Sequence, residues 1–63
     1  MPIIQINILE GRSPEKKKKL HELVCAAVVE ALEVPPDAVK IQLIDMLPSH
    51  YSIGGVAKDQ KKS

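Results

Sequence analysis

The sequence predicts an α+β fold: a β-α-β subunit closed by a short C-terminal β-hairpin, with the parallel strands paired across a dimer into a four-stranded sheet. Three observations carry that prediction. Two short runs, Ile3 to Leu9 and Val39 to Met46, alternate apolar and polar residues in the period of a strand with one apolar face. A longer run between them repeats apolar residues at helical spacing. The chain has 63 residues, and one this short buries only about 60% of the surface its unfolded form exposes.

In the first run Ile4, Ile6 and Ile8 fall on one face and Gln5 and Asn7 on the other, in a β-branched context. Glu10 and Gly11 break the alternation. Ser13-Pro14 then reads as a helix start, with Ser at the N-cap, Pro at the first helical position and Glu15 in the first turn, where the helix dipole favours an acid. Leu20, Leu23, Val24, Ala27, Val28, Ala31 and Leu32 recur at i, i+3, i+4, i+7, i+8, i+11 and i+12 and make one apolar stripe. Val34-Pro35-Pro36 ends the helix, because the residue before a proline is pushed out of the α region. Val39, Ile41 and Leu43 then share one face of the second strand. Strand, helix and strand with short connections form a right-handed unit with parallel strands. Leu47 to His50 reads as a loop, Tyr51 to Lys58 with Gly54-Gly55 as a small hairpin, and Asp59 to Ser63 as a frayed polar tail.

Residues 1–63 make a single domain at most, and a thin one. Phe and Trp are absent and Tyr51 is the sole aromatic residue. Two strands under one helix leave two open edges and wet apolar surface. Cys25 is alone, which excludes an internal disulfide, and a single Cys with two separated histidines lacks zinc-ligand spacing. Oligomerisation is the remaining way to stabilise so small a scaffold. Val29, nearly opposite the helix stripe and flanked by Cys25 and Ala26, points to a second apolar contact for the helix.

Nine Lys plus Arg against eight Asp plus Glu give a formal charge of +1, far from the basic balance of a nucleic-acid binder. No apolar run approaches membrane-spanning length and no signal-peptide pattern is present. One unpaired thiol fits a reducing, cytoplasmic setting.

Few residues have chemistry to offer. If the initiator Met1 is removed, which the small penultimate proline permits, Pro2 becomes a chain-terminal secondary amine. Burial would disfavour its charged form and bring its pKa from roughly 7.7–8.0 toward neutrality, where a general base works best. Otherwise Pro2 simply starts an edge strand. Arg12 follows the Gly11 turn and is the only arginine beside eight lysines; its planar fork suits a carboxylate. Lys16 to Lys19 point in different directions around a helix and form a solvated face. His21, Cys25 and His50 lack partners at a spacing that suggests nucleophilic catalysis.

Pro2-Ile3, Gln5-Ile6, Ile8-Leu9-Glu10-Gly11-Arg12-Ser13, His50-Tyr51 and Ile53-Gly54-Gly55 together resemble the 4-oxalocrotonate tautomerase family, across nearly the whole chain. The resemblance implies a tautomerase-like β-α-β subunit that pairs into dimers, three of which form a homohexamer, and an isomerase that needs no cofactor. It implies Pro2 as the general acid/base and Arg12 as a carboxylate clamp reaching into a neighbouring subunit's site. Leu9 and Tyr51 would supply an apolar wall, with Tyr51 standing where the family usually has Phe. Lys40 occupies the place of a second substrate-binding arginine, keeping the charge but losing the rigid two-donor fork. The implied substrate is a small molecule, a 2-hydroxydienoate such as 2-hydroxymuconate or a related 2-oxo acid. A non-catalytic or weakly active oligomeric homologue is the alternative, with Lys40 as its support. An anion- or nucleic-acid-binding module built on Lys16 to Lys19 fits poorly with the near-zero charge and the missing aromatic platform.

Overall fold

In the computed structural model, which describes residues 1–59, β1 (Ile3–Leu9) is followed by α1 (Pro14–Leu32), β2 (Lys40–Met46), β3 (Ser52–Ile53) and β4 (Val56–Ala57). β1 and β2 run parallel, with Ile3 opposite Lys40 and Leu9 opposite Met46. The β-α-β core with a C-terminal hairpin is the predicted architecture; of the predicted tail, residues 60–63 lie outside the described residues. The alternation holds residue by residue: Ile4, Ile6 and Ile8 are half-buried, while Ile3, Gln5 and Asn7 are exposed. Register and parity place Ile41, Leu43 and Asp45 of β2 on the same face as Ile4, Ile6 and Ile8. An ion pair from Lys17 of α1 to Asp45 identifies this as the helix-covered face.

β2 begins at Lys40, one residue later than the alternation suggested, for a hydrogen-bonding reason. Pro36–Ala38 form a 3₁₀ turn, and the Val39 N–H closes it by donating to the Pro36 carbonyl at 3.1 Å. The first ladder bond therefore comes from the next residue, whose N–H donates to the Pro2 carbonyl at 3.0 Å. Pro48–His50, expected as loop, form a second 3₁₀ turn.

α1 starts as predicted. Ser13 has extended backbone and its Oγ accepts from the Lys16 N–H at 3.3 Å, satisfying one orphan donor of the first turn. The helix stops at Leu32, two residues before Val34. Glu33 takes the left-handed conformation at φ 56° and its N–H donates to the Val29 carbonyl at 2.9 Å. The apolar stripe is only partly covered. Leu20, Val24 and Val28 are half-buried, but Ala27 and Ala31 are exposed, Leu23 is 60% exposed and Leu32 58%. Two strands are too narrow a platform to reach the whole stripe. Val29 and Cys25 are half-buried on the other flank, toward Pro36.

Consequently no side chain among the described residues is fully buried. The chain exposes 5104 Å², against about 4,000 Å² for a folded monomer of this size. Its radius of gyration is 15.1 Å, against about 11 Å for a compact one. The extents of 48 × 24 × 14 Å describe one helix laid on one sheet, with the hairpin projecting. Gly54 at φ 60° and Gly55 at φ 83° make the two-residue hairpin turn that needs positive φ at both positions. Ile53 in that hairpin is 63% exposed.

The two helix caps give opposite expectations, read as shifts in unfolding midpoint at one fixed protein concentration. Ser13→Ala should lose about 1 kcal/mol by orphaning the Lys16 N–H. Glu33→Gly should gain about 0.5–1 kcal/mol, because glycine adopts the left-handed conformation without a Cβ penalty.

Candidate active site

The candidate residues sort to the two ends of β1. At its start Pro2 is half-buried and Met1 before it is exposed. The Pro2 carbonyl is held by the Lys40 N–H, so the first residue of the ladder and the lysine are neighbours. The Lys40 ammonium folds back on its own turn and donates to the Asp37 carbonyl at 2.8 Å. Its charge is thereby tethered at the mouth of the β2 strand, on the sheet face that α1 leaves open.

At the far end the Glu10 N–H donates to the Met46 carbonyl at 2.9 Å and closes the ladder. Gly11 follows at φ 123°, a conformation that an L side chain rarely adopts. This turn carries Arg12 back over the strand end, where Nη1 donates to the Leu9 carbonyl at 3.0 Å. A guanidinium has five N–H donors, so the bond orients the group and leaves an edge for an anion.

Arg12 lies between two cavities. One, of about 230 Å³, is lined by Ile8, Arg12, Lys16, Lys17 and Leu20; the Lys17 ammonium there is engaged by Asp45. The other, of about 370 Å³, is lined by Asn7, Ile8, Leu9, Arg12, Met46 and Tyr51. Tyr51 is fixed through its backbone: its N–H donates to the Pro48 carbonyl at 3.3 Å and its carbonyl accepts from the Lys58 N–H at 2.8 Å. An arginine fork beside apolar walls is suited to a small carboxylate, because excluding water strengthens the charge-assisted bond.

Of the five residues predicted from sequence, Leu9, Arg12 and Tyr51 share this cavity, and Pro2 and Lys40 do not. Seven residues of β1 separate the groups, about 20 Å at the rise of a strand. One subunit therefore holds a would-be base and a would-be clamp too far apart to touch one small substrate. Asn7 and Met46 were not singled out by sequence reasoning. Asn7 carried a signal, since it lies two residues before Leu9 on the same strand face. Met46 carried none, because its place opposite Leu9 depends on the β1–β2 register.

His21 and Cys25 line a wide, shallow depression with Val29 and Pro36, with Cys25 Sγ 3.9 Å from the Pro36 carbonyl. His50 is exposed. Among the described residues no group of three or more His, Cys, Asp or Glu is arranged to hold a metal ion, and no helix is long and apolar enough to cross a membrane.

A family model described as tautomerase enzyme matches residues 2–61. The chain is 44% identical over 55 residues to a 2-hydroxymuconate tautomerase of Pseudomonas putida, covering 87% of each protein. A 2-hydroxymuconate tautomerase of Stutzerimonas stutzeri matches at the same identity and coverage. Among solved structures, a heterohexamer 4-oxalocrotonate tautomerase from Chloroflexus aurantiacus superposes with a TM-score of 0.92 at 32% identity, covering 98% of this chain and 100% of that one. A 4-oxalocrotonate tautomerase isozyme structure from Methylibium petroleiphilum gives 0.89 at 40% identity, covering 92% and 91%.

Proposed function

The chain belongs to the 4-oxalocrotonate tautomerase family, and from that premise we propose that it is a cofactor-independent enol–keto tautomerase acting on 2-hydroxymuconate or a related 2-oxo acid. The observation that carries the reading is the proline at the head of β1 in a chain whose only arginine lines an apolar cavity at the end of the same strand. Once Met1 is removed, the Pro2 nitrogen is a secondary amine. It takes the enol hydroxyl proton, and the O–H electron pair becomes part of the new C=O bond. The displaced C=C pair then takes a proton at carbon from the Pro2 ammonium, which regenerates the base. Arg12 holds a substrate carboxylate, while Leu9 and the Tyr51 ring exclude water and keep the amine from being too basic. Lys40, next to Pro2, offers a second cation for a dianionic substrate.

The site is shared between subunits on this reading. The separation along β1 requires a second copy to bring an Arg12 cavity to a Pro2, and the missing core supplies the driving force for assembly. Leu23, Leu32 and Ile53 are more than half exposed, and each contributes about 1.5–3 kcal/mol when fully buried. A homohexamer built as a trimer of dimers, in the cytoplasm, is the proposed state; a related heterohexamer supports it. The second reading is a weakly active homologue, favoured by the tether of Lys40 to the Asp37 carbonyl, which leaves its ammonium fewer free donors than a forked arginine would have.

Four outcomes test the proposal. With Met1 removed, ketonisation of 2-hydroxymuconate should proceed, with kcat/KM rising with pH because only the unprotonated amine is a base. The profile should level off below the roughly 7.7–8.0 of an ordinary α-amine. Pro2→Ala should lower kcat by about 10²–10⁴-fold, and an unchanged rate would reject the mechanism. Arg12→Ala should weaken kcat/KM by at least about tenfold through lost carboxylate binding. Mixing the two impaired variants under conditions that let subunits exchange should raise activity above that of either alone, since roughly a quarter of randomly assembled shared sites carry both intact residues. No recovery on mixing would mean that Pro2 and Arg12 do not meet across subunits.

A further inference from the structure

The cavity at the end of β1 contains more hydrogen-bonding capacity than a carboxylate clamp uses. Ile8, Leu9 and Met46 make its apolar walls, and Asn7, Arg12 and Tyr51 its polar members. Among the described residues, the side-chain hydrogen bonds involve Arg12, Ser13, Lys17, Cys25, Lys40 and Asp45, and the Tyr51 hydroxyl takes part in none. Tyr51 is 39% exposed, so its ring is partly covered and its hydroxyl stays free to bond a ligand that enters the cavity.

We propose that the Tyr51 hydroxyl donates a hydrogen bond to the substrate oxygen that gains negative charge during tautomerisation, beside the carboxylate held by Arg12. The proposal rests on the enol–keto reading of this site. When the enol O–H proton leaves for the Pro2 nitrogen, charge builds on that oxygen before the carbonyl is complete. A neutral donor fixed in advance strengthens its bond as that charge grows, so it stabilises the transition state more than the ground state. The Tyr51 proton stays on the phenol throughout, and no further acid or base is consumed.

Backbone geometry suits the role. Both peptide groups of Tyr51 are bonded, to Pro48 and Lys58, and the hairpin turn at Gly54-Gly55 returns the chain to make the second bond. The donor is thus carried on a short, doubly anchored segment, which reduces the reorganisation needed when charge develops. Arg12 is anchored in the same way through the Leu9 carbonyl. A substrate with a carboxylate and an adjacent enol oxygen would engage both.

Tyr51→Phe tests the hydroxyl alone, since the ring and its apolar wall remain. In Met1-free protein the variant should keep KM within about twofold and the same pH profile, with kcat about tenfold lower. An unchanged kcat, or a loss that appears only in KM, would overturn the proposal. A second measurement does not depend on turnover. Tyr51 is the only aromatic residue of the chain, so its ultraviolet absorption is free of overlap. Saturating Pro2→Ala protein with oxalate, a planar carboxylate with an adjacent anionic oxygen, should shift the tyrosine spectrum as the O–H gains an acceptor, and Arg12→Ala in that background should abolish the shift at the same oxalate concentration. Wild-type protein that is inactive ends the tautomerase reading and the proposal with it; wild-type protein that is active but shows a flat tyrosine spectrum with oxalate leaves the tautomerase reading standing and overturns the donor alone.

Discussion

One helix laid on two strands cannot close a core, and most features of this molecule follow from that shortage of area. A central strand has neighbours on both sides and a covered face; here each strand has one neighbour and one open edge. Leu20, Val24 and Val28 of the helix are half-buried, while Leu23, Ala27 and Ala31 of the same stripe are exposed. The hairpin carries Ile53 and Val56 away from the body of the chain. Such surface is what copies of a small subunit cover for one another, so stability and assembly are the same problem in this protein.

The same shortage organises the chemistry. β1 links four of the five candidate residues: Pro2 heads it, Leu9 ends it, Arg12 folds back onto its last carbonyl and Lys40 pairs with its first. A strand is also a spacer, and its length keeps Pro2 and Arg12 of one subunit apart. A chain that must associate to bury its apolar surface can therefore complete a site between subunits without any added element. On the proposed reading, assembly and activity are coupled through β1.

Turns do much of the positioning, and each works through a specific backbone bond. Gly11 permits the reversal that brings Arg12 over Leu9. The 3₁₀ turn at Pro36–Ala38 uses the Val39 N–H and so sets the first ladder bond at Lys40. The glycine pair of the hairpin returns Lys58 to the Tyr51 carbonyl. None of these bonds is strong alone, at about 0.5–1.5 kcal/mol net, but together they decide which side chains share a cavity.

Local signals were enough to name the strands, the helix and the hairpin, though not every boundary: two period-2 runs, one 3.6-period stripe, Ser13-Pro14 at the helix start and Gly54-Gly55 at the hairpin are signals that local hydrogen bonding obeys. Pro2 and Arg12 stood out for the same reason, since a penultimate proline and a lone guanidinium are unusual whatever surrounds them. What the residue string could not decide was anything that depends on register or on how wide the platform under the helix is. The pairing of Leu9 with Met46, the inclusion of Asn7 in the Arg12 cavity, the tether from Lys40 to Asp37 and the rotation of α1 that exposes Leu23 come from contacts between segments far apart in sequence. Those contacts are set by the packing of three elements on one another, and a one-dimensional pattern carries no measure of it.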